Sequence, residues 1–219
     1  MTVHHLLEKK SIGNKFVAQL RDMSVQKDRL RFRRNVERIG EILGYELSKS
    51  LRYAEQNITT PLGKIKMNLP EEEIVICSIL RAGLPLHTGL LNYFDDAENS
   101  FISAYRHHPN DDENFEILVE YLASPSLEGK ILILADPMLA TGSSFVNVLQ
   151  ALETMGNPKE IHLVSVIGAK EGIEYVSREF PDNSHLWIAT IDEKLDEKGY
   201  IVPGLGDAGD LCFGPKLQH

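Results

Sequence analysis

The sequence contains few cysteines and no long apolar run. Its 219 residues include Cys77 and Cys212 as the only cysteines. Two cysteines without metal-ligand spacing give neither a disulfide framework nor a zinc site, and a reducing cytoplasm is the default expectation. No apolar run approaches the roughly 18 residues of a membrane span, and the N-terminus lacks a secretory signal's apolar region. We therefore expect a cytoplasmic protein with no membrane partner.

Positive charge is also scarce. The chain has 23 Lys and Arg against 32 Asp and Glu, which gives a formal net charge of −9. The basic surface that nucleic-acid binding requires is therefore absent at the level of the whole chain. One segment is an exception, with arginines at 29, 31, 33, 34 and 38. We interpret them as the solvated or subunit-facing side of an amphipathic helix and expect no nucleic-acid partner.

The hydrophobic pattern predicts an α/β protein, 1–219, that forms a single domain. Apolar residues from Leu30 to Leu47 follow helical spacing, which predicts a long helix over 25–51 with Ser24 as its cap. Residues 57–70 are predicted to form a loop or a hairpin arm. Strands alternating with helices indicate a parallel sheet with helices on both faces and ligands outside the carboxyl ends of its strands. The predicted strands are 74–79, 101–105, 115–121, 131–135, 161–167 and 186–190, and the shorter helices are 84–91, 144–155 and 171–179.

The stretch ILILADPMLATGSS, 131–144, has the parts of a phosphate site. A short apolar strand ends at Asp136, a turn of small residues follows, and a helical pattern then begins. Free N–H groups and the positive end of a helix dipole favour phosphate at such a turn. The acid suits sugar hydroxyls, or a metal that arrives with the phosphates. This combination predicts a ribose phosphate ligand, although Asp136 could instead cap the next helix.

The same stretch resembles the phosphoribosyl diphosphate (PRPP) loop of type I phosphoribosyltransferases, and the wording DPMLATG is that of the uracil phosphoribosyltransferase family. SILRAGL at 78–84 and YIVPGLGDAGD at 200–210 resemble two further segments of that family, and TPLGK at 60–64 and the pair Tyr105-Arg106 also fit. The resemblance covers nearly the whole chain. It implies a type I phosphoribosyltransferase fold, with a parallel-sheet core wound by helices. A hood over the base site would come from the helix 25–51 and the C-terminal segment 191–219.

The resemblance also implies which residues bind PRPP. Asp136 would contact the ribose hydroxyls, Thr141 to Ser144 would hold the 5′-phosphate, and Arg81 and Arg106 would meet the pyrophosphate oxygens. A planar guanidinium suits that role because it forms paired charge-assisted hydrogen bonds. The implied catalytic residues are Arg81, Arg106, Asp136 and Asp207. The implied PRPP-binding residues are Arg81, Arg106, Asp136, Pro137, Met138, Leu139, Ala140, Thr141, Gly142, Ser143, Ser144 and Asp207.

Base recognition is assigned by the resemblance to the glycine-rich segment 200–210. Uracil presents one N–H donor between two carbonyl acceptors, and a bent backbone can offer the complementary set. The implied uracil-binding residues are Tyr200, Ile201, Gly206, Asp207 and Ala208. A site built from hydrogen-bonding groups rejects a base that leaves them unpaired, so we expect cytosine to be refused.

Two segments in or beside the implied site depart from the family pattern. Ser143 stands where the family has a second glycine, and it either keeps the loop with an added hydroxyl or shifts it. We expect an unstrained, phosphate-facing Ser143. Leu211 replaces an arginine and Pro215 replaces a threonine.

The implied activity is the conversion of uracil and PRPP into UMP and pyrophosphate by a pentosyltransferase. Mg²⁺ is the expected cofactor, held mainly by PRPP rather than by a dedicated protein site. The expected partners are the two small-molecule substrates and further copies of the chain, as a homodimer or a larger homo-oligomer. The alternative is a PRPP- or nucleotide-sensing regulator on the same fold with little or no catalysis.

Overall fold

The structure of the protein, a computed structural model, describes residues 1–107 and 116–216. Within these ranges, only the backbone of residues 104–107 and 116–120 is described. The polar stretch 107–113, which the sequence predicts to be a loop, lies outside the described residues from 108 onward, as does the predicted strand start at Phe115. The described strands are β1 Thr2–His5, β2 Tyr53–Thr60, β3 Gly63–Pro70, β4 Ile74–Leu80, β5 Glu98–His107, β6 Glu116–Ala123, β7 Ile131–Ala135, β8 Met138–Leu139, β9 Glu160–Ala169, β10 His185–Asp192, β11 Lys194–Leu195 and β12 Ile201–Val202. The described α-helices are α1 Ile12–Arg21, α2 Arg29–Ser48, α3 Gly83–Leu91, α4 Ser143–Leu152, α5 Lys170–Glu179 and α6 Ala208–Phe213.

The central sheet has the strand order β1-β10-β9-β7-β4-β5-β6, with β8 paired to β9. Every pairing in it is parallel except that of β6, which runs antiparallel to β5. The expected sheet is therefore confirmed with one correction, because its last strand is reversed. A strand reached through a short connection from its neighbour pairs antiparallel, whereas a parallel pair needs a long crossover.

Helices cover both faces of the sheet, as the alternation of elements predicted. In β4, Ile74 and Ile76 pack into the core shared with α1, α2 and α3, and Val75 and Cys77 pack into the core shared with α4 and α5. Successive side chains of a strand point to opposite faces, so a strand covered on both sides is apolar throughout. This burial explains why the central strands were predictable from apolar runs.

The long helix α2 is shorter than the predicted span 25–51. It begins after Asp28, whose carboxylate accepts a hydrogen bond of 3.0 Å from the N–H of Arg31. The prediction of Ser24 as the cap was wrong, because Ser24 is bonded to Asp22 in the preceding turn. The predicted apolar face is confirmed from Phe32 to Leu47, while Leu30 is 62% exposed.

The first strand, β1, was not predicted and joins the sheet edge through a stack of aromatic rings. His4 stacks on Trp187 of β10 with centroids 3.8 Å apart, and its Nε2 lies 3.2 Å from Nδ1 of His185. Beneath them, the indole N–H of Trp187 donates to Nδ1 of His162 on β9 at 3.0 Å. His162 is fully buried, and burial, followed by the nearby His185 and His4, lowers its pKa to about 3.

The segments outside the sheet form two smaller features. β2 and β3 form an antiparallel hairpin, which confirms the predicted arm at 57–70 and extends it back to Tyr53. β11, β12 and α6 form a small lobe beyond β10, where the hood was expected. No helix within the described residues is long and apolar enough to cross a membrane.

Candidate active site

Asp136 lies at the carboxyl end of β7, directly after five fully buried residues. Its N–H donates to the carbonyl oxygen of Val164 on β9 at 3.2 Å, and its own carbonyl accepts the hydroxyl of Ser165. The carboxylate accepts the N–H of Met138 at 3.2 Å. The helix that follows is capped at Gly142 instead. Asp136 is therefore not a helix cap, and its remaining oxygen lone pairs can serve a ligand.

The pKa of Asp136 is raised to about 7, against 3.8 for an ordinary aspartate. Burial is the largest cause, the nearby Asp207 raises it further, and the hydrogen bond from Met138 opposes both. The carboxylate is thus destabilised while it has no partner in the site. Hydroxyl donors or a cation beside it would favour its charged form, which is the property a sugar-binding acid needs.

The loop after Asp136 is supported along its length by two neighbouring elements. The carbonyl of Pro137 accepts the N–H groups of Val166 and Ile167 on β9, and Met138 and Leu139 continue as β8. On the other side, a Cβ placed on Gly172 of α5 would lie 2.0 Å from the carbonyl oxygen of Ala140. Only a glycine allows α5 to approach the loop so closely.

The loop ends at the N-terminus of α4, which has ten residues. Gly142 has φ +84°, and a Cβ there would lie 2.9 Å from Cγ1 of Val176, so both conformation and space require glycine. Ser143 is the first helical residue, and its hydroxyl lies 3.1 Å from that of Thr141. The N–H of Ser143 donates to the hydroxyl of Thr141 at 3.3 Å, and the cap residue Gly142 has no side chain to bond the other first-turn N–H groups. Those remaining N–H groups and the two hydroxyls lie at a position suited to phosphate.

Arg81 follows β4, and the peptide bond between Leu80 and Arg81 is cis. Its Nη2 donates to Oδ1 of Asp210 at 3.2 Å and to the carbonyl oxygen of Gly214 at 3.1 Å. The side chain is 40% exposed, so the guanidinium keeps donors that a ligand can use. A Cβ on Gly209 would lie 3.7 Å from this Nη2 and 3.1 Å from Oδ1 of Asp207. The side chains of Arg81 and Asp207 therefore both lie beside Gly209 of α6.

A buried polar chain holds the end of β4 beneath Arg81. The hydroxyl of Ser78 and Nδ1 of His87 are 2.7 Å apart, and Nε2 of His87 lies 2.7 Å from Oδ1 of Asn99. The amide of Asn99 donates to the carbonyl of Ala97, which orients its oxygen toward His87. His87 therefore donates from Nε2 and accepts from Ser78 at Nδ1, as a neutral ring. Burial lowers the pKa of His87, which favours that neutral form.

The expected base segment, 200–210, includes β12 and the first turn of α6. Ile201 and Ala208 are buried, whereas Tyr200 is 49% exposed. Gly206 has φ +93°, a conformation that favours glycine. Within the described residues, no backbone hydrogen bond uses the N–H groups of Gly206 or Ala208. Two backbone donors are therefore available where base recognition was expected.

Arg106 lies in β5 opposite Ile117 of β6, and its side chain is outside the described residues. The role assigned to it remains a prediction. The structure brings together Asp136, the turn 140–144, Arg81 and Asp207 at the carboxyl ends of β7 and β4, where ligands of parallel sheets bind.

Comparison with known proteins decides the family. The sequence model of uracil phosphoribosyltransferase matches residues 7–215. A uracil phosphoribosyltransferase of Porphyromonas gingivalis is 52% identical over 217 residues, covering 99% of this chain and all of that protein. The chain belongs to the uracil phosphoribosyltransferase family. It is accordingly an enzyme of the pentosyltransferase class with the type I phosphoribosyltransferase fold.

Two further relatives agree with this membership. The uracil phosphoribosyltransferase of Methanococcus maripaludis is 41% identical over 198 residues, which is 89% of this chain and 84% of that one. Among solved structures, the AQ2163 protein of Aquifex aeolicus superposes with a TM-score of 0.87 at 30% identity, covering 99% of this chain and all of that one. The fold shared with that protein therefore extends over 99% of this chain.

Sequence analysis missed three residues that contact the base segment from outside it. Arg21 at the end of α1 pairs with Asp192 at the end of β10, and both bond to Gly204. Gln26, before α2, bonds to Leu205. Asp192 could have been found as an acid that ends an apolar strand, as Asp136 does. Nothing in the sequence pointed to Arg21 or Gln26, because they act on backbone atoms remote along the chain.

Proposed function

We propose that this uracil phosphoribosyltransferase transfers the phosphoribosyl group of PRPP to N1 of uracil, giving UMP and pyrophosphate. The observation that carries the proposal is the meeting of Asp136, Arg81 and Asp207 around one site in a chain whose full-length relative at 52% identity bears this name. Each of the three comes from a different segment of the family pattern.

PRPP is proposed to lie along the edge formed by the turn 140–144 and the end of β4. The first-turn N–H groups of α4, with Thr141 and Ser143, hold the 5′-phosphate, and Asp136 accepts from the ribose hydroxyls. Arg81 binds the pyrophosphate. Its hydrogen bond to the half-exposed Asp210 is then either replaced by the bond to pyrophosphate or kept beside it. Arg106 is proposed as a second pyrophosphate contact. Charge-assisted hydrogen bonds to these groups favour the anionic ligand.

Uracil is proposed to bind against the segment 200–208. The free N–H groups of Gly206 and Ala208 match its two carbonyl oxygens, and the backbone at Ile201 supplies the acceptor for N3–H. Cytosine presents a donor where uracil presents an acceptor. Leaving a buried amide opposite that donor costs about 1–3 kcal/mol for each unpaired group, so cytosine is discriminated against.

The chain's own residues accelerate the reaction by positioning and by charge. As the C1′–O bond to pyrophosphate breaks, positive charge develops on the ribose and negative charge on the leaving group. N1 of uracil then bonds to C1′, and its proton leaves to the solvent. Arg81 stabilises the leaving group, and Asp136 holds the ribose so that C1′ faces the base. Asp207 lies near both Arg81 and Asp136.

Mg²⁺ is proposed as the cofactor that neutralises pyrophosphate when bound. Within the described residues, no group of three or more metal-binding side chains is close enough to hold an ion by itself. Burial raises the pKa of Asp136, repulsion by Asp207 raises it further, and a cation near the two acids would relieve that repulsion. Their oxygens are ligands that Mg²⁺ accepts alongside those of PRPP. A cytoplasmic location and a homodimer or larger homo-oligomer likewise remain proposals.

The regulator alternative depended on Ser143 and Leu211. Ser143 is helical and needs no positive φ, and Leu211 packs partly buried against the core near α2. Neither residue deforms the site, so no observation favours a protein without catalysis.

An assay of UMP formation tests the proposal. The purified protein should form UMP from uracil only with PRPP and Mg²⁺ present, and should give no product from cytosine or hypoxanthine. The matched variant Asp136→Asn should raise the KM for PRPP or lower kcat by about ten- to a hundredfold, because a charged hydrogen bond contributes about 1.5–3 kcal/mol. Equal turnover of a purine base, or unchanged PRPP kinetics in a folded Asp136→Asn variant, would contradict it.

A further inference from the structure

Three polar side chains outside the proposed site bond to the backbone of the segment 201–206, which we call the base loop. They are Arg21, Asp192 and Gln26, and they come from the end of α1, the end of β10 and the connection before α2. None of them belongs to the family motifs quoted from the sequence. Their contacts to the base loop are all to its main-chain groups, so they fix where the loop lies rather than which side chains it presents.

The first contact set joins Arg21 and Asp192 to Gly204. The guanidinium of Arg21 pairs with both carboxylate oxygens of Asp192, at 2.8 and 2.7 Å. The N–H of Gly204 donates to Asp192 at 2.8 Å, and the carbonyl of Gly204 accepts from Arg21 at 3.1 Å. Both backbone groups of one residue are therefore bound to the two halves of one ion pair.

This ion pair is largely removed from water. The Asp192 side chain is 7% exposed and that of Arg21 is 23% exposed. Burial alone would raise the pKa of Asp192, but hydrogen bonds from Arg21 and Gly204 outweigh it and hold the pKa below its usual value. Buried ion pairs contribute little net stability and are better explained by the geometry they impose.

The loop has little room to take another path at this point. Gly204 has φ +60°, and a Cβ there would lie 2.1 Å from the carbonyl oxygen of Ile201. The next residue is held as well, because Nε2 of Gln26 donates to the carbonyl of Leu205 at 3.1 Å and to that of Leu20 at 2.8 Å. Three of the loop's central backbone groups are thus tied to α1, β10 and the connection between α1 and α2.

The PRPP side of the site is held by different elements. The loop 136–142 is bonded to β9 and packed against α5, and no described contact joins it to Arg21 or Gln26. A loss of the contacts that Arg21, Asp192 and Gln26 make to the base loop would therefore displace the backbone groups proposed to bind uracil. The groups proposed to bind phosphate would stay in place.

We propose that Arg21, Asp192 and Gln26 are positioning residues that hold the base loop in its uracil-binding form and so set the affinity for uracil rather than for PRPP. The inference rests on the proposed assignment of uracil to the segment 200–208. N–H groups at Gly206 and Ala208 recognise the base only if the backbone preceding them is fixed. The N-terminal helix α1 is accordingly a part of the base site, although it touches no substrate.

The test compares Arg21→Lys and Gln26→Met with the control Arg34→Lys. Lysine keeps the charge of Arg21 but cannot bond to Asp192 and Gly204 together, and methionine keeps the size of Gln26 without its donors. Arg34, which is 60% exposed, forms an ion pair with Glu37 on α2 and does not contact the base loop.

We expect the KM for uracil to rise about tenfold in both test variants, since small misplacements of binding groups are costly. The KM for PRPP and kcat should change less than about twofold, and the control should match the parent.

Amide hydrogen exchange supplies a second readout that does not depend on activity. Protection of the base loop should fall in Arg21→Lys and Gln26→Met, while that of 136–144 stays at the parental level. Equal changes in the KM for uracil and for PRPP, or unchanged uracil kinetics in folded variants, would overturn the proposal. Should Arg21→Lys fail to fold, the Gln26→Met result decides the question.

The variant Gly206→Ala separates this proposal from the assignment on which it rests. If it raises the KM for uracil while Arg21→Lys and Gln26→Met do not, the segment binds uracil and the positioning role is wrong. If Gly206→Ala leaves uracil kinetics unchanged, the assignment of the segment itself fails.

Discussion

Ser143 replaces a glycine of the family pattern without occupying the position that needs one. The left-handed φ of the turn falls on Gly142, and Ser143 begins α4 with helical geometry. Its hydroxyl lies beside that of Thr141 on the phosphate side of the turn. Serine is also an ordinary residue in the first turn of a helix, since its hydroxyl can serve groups near the free N–H donors.

We therefore predict that Ser143→Gly leaves the enzyme nearly unchanged or slightly weaker. The expected effect on the KM for PRPP is a rise of less than about threefold, because glycine adds backbone entropy of roughly 0.5–1 kcal/mol at a helical position. Steady-state kinetics with varied PRPP measure it. A tenfold fall in that KM would show that serine strains the loop.

At this scale the sequence identified residues that belong to continuous motifs. Asp136 and Gly142 stand in a stretch whose order alone predicted a phosphate site, and Arg81 stands in a motif whose role the family resemblance implied. Arg21 and Gln26 were missed because their partners, Gly204 and Leu205, are 183 and 179 residues away along the chain. A contact to a backbone carbonyl leaves no pattern in the residue that makes it.

Among the elements, predictability followed burial. β4, β7 and β9 lie in the middle of the sheet, and their apolar runs marked them. β8, β11 and β12 have two residues each, too few for any periodicity. The start of α2 was misplaced because Ser24 and Asp28 are both good caps, and only the tertiary structure chooses between them. The direction of β6 depends on its pairing with β5 and is likewise not encoded in its own residues.

The edge strand β1 pairs with β10, and the ring stack of His4, Trp187 and His162 at this edge links the sheet to pH. His162 is neutral in the folded protein because its pKa is lowered to about 3, whereas a histidine in the unfolded chain titrates near 6.5. Below pH 6.5 the unfolded chain binds the extra proton, so stability is lost as pH falls from 6.5 toward 3. Above pH 6.5 the contribution is fully present.

We predict that His162→Gln flattens this part of the pH dependence. Glutamine can still accept the indole N–H of Trp187 but does not titrate. The difference in unfolding free energy between pH 7 and pH 5 should be smaller in the variant by roughly 2 kcal/mol. Urea denaturation at both pH values measures it. His5→Gln, which alters none of the stacked rings, is the control, and an equal pH difference in parent and variant would contradict the prediction.

At the scale of the whole molecule, the N-terminal part of the chain contacts the C-terminal part beside the candidate site. α1 and the residues before α2 hold the base loop, and Arg33 of α2 donates to the carbonyl of Cys212 in α6 at 2.6 Å. These contacts join sequence-distant pieces, and α1 takes part in them in addition to the long helix; that they form the expected hood stays a prediction. We propose on these contacts that the chain folds as one domain.

The raised pKa of Asp136 has a consequence for the heat of substrate binding. At pH 7 a carboxyl group with a pKa of about 7 is about half protonated in the free enzyme. Ribose hydroxyls that donate to it favour the charged form, so PRPP should expel that proton into the buffer. The heats of PRPP binding in PIPES and in Tris at pH 7 should then differ by about half of the difference between the ionisation heats of the two buffers per site, in excess of what Asp136→Asn shows. At pH 9 that excess should vanish, because the carboxylate is already charged. An equal buffer dependence in parent and variant at pH 7 would mean that PRPP does not reach Asp136.

If the excess is found, Asp136 couples the binding of PRPP to proton exchange with the solvent. The apparent affinity for PRPP then rises with pH until the carboxyl group of Asp136 is fully ionised.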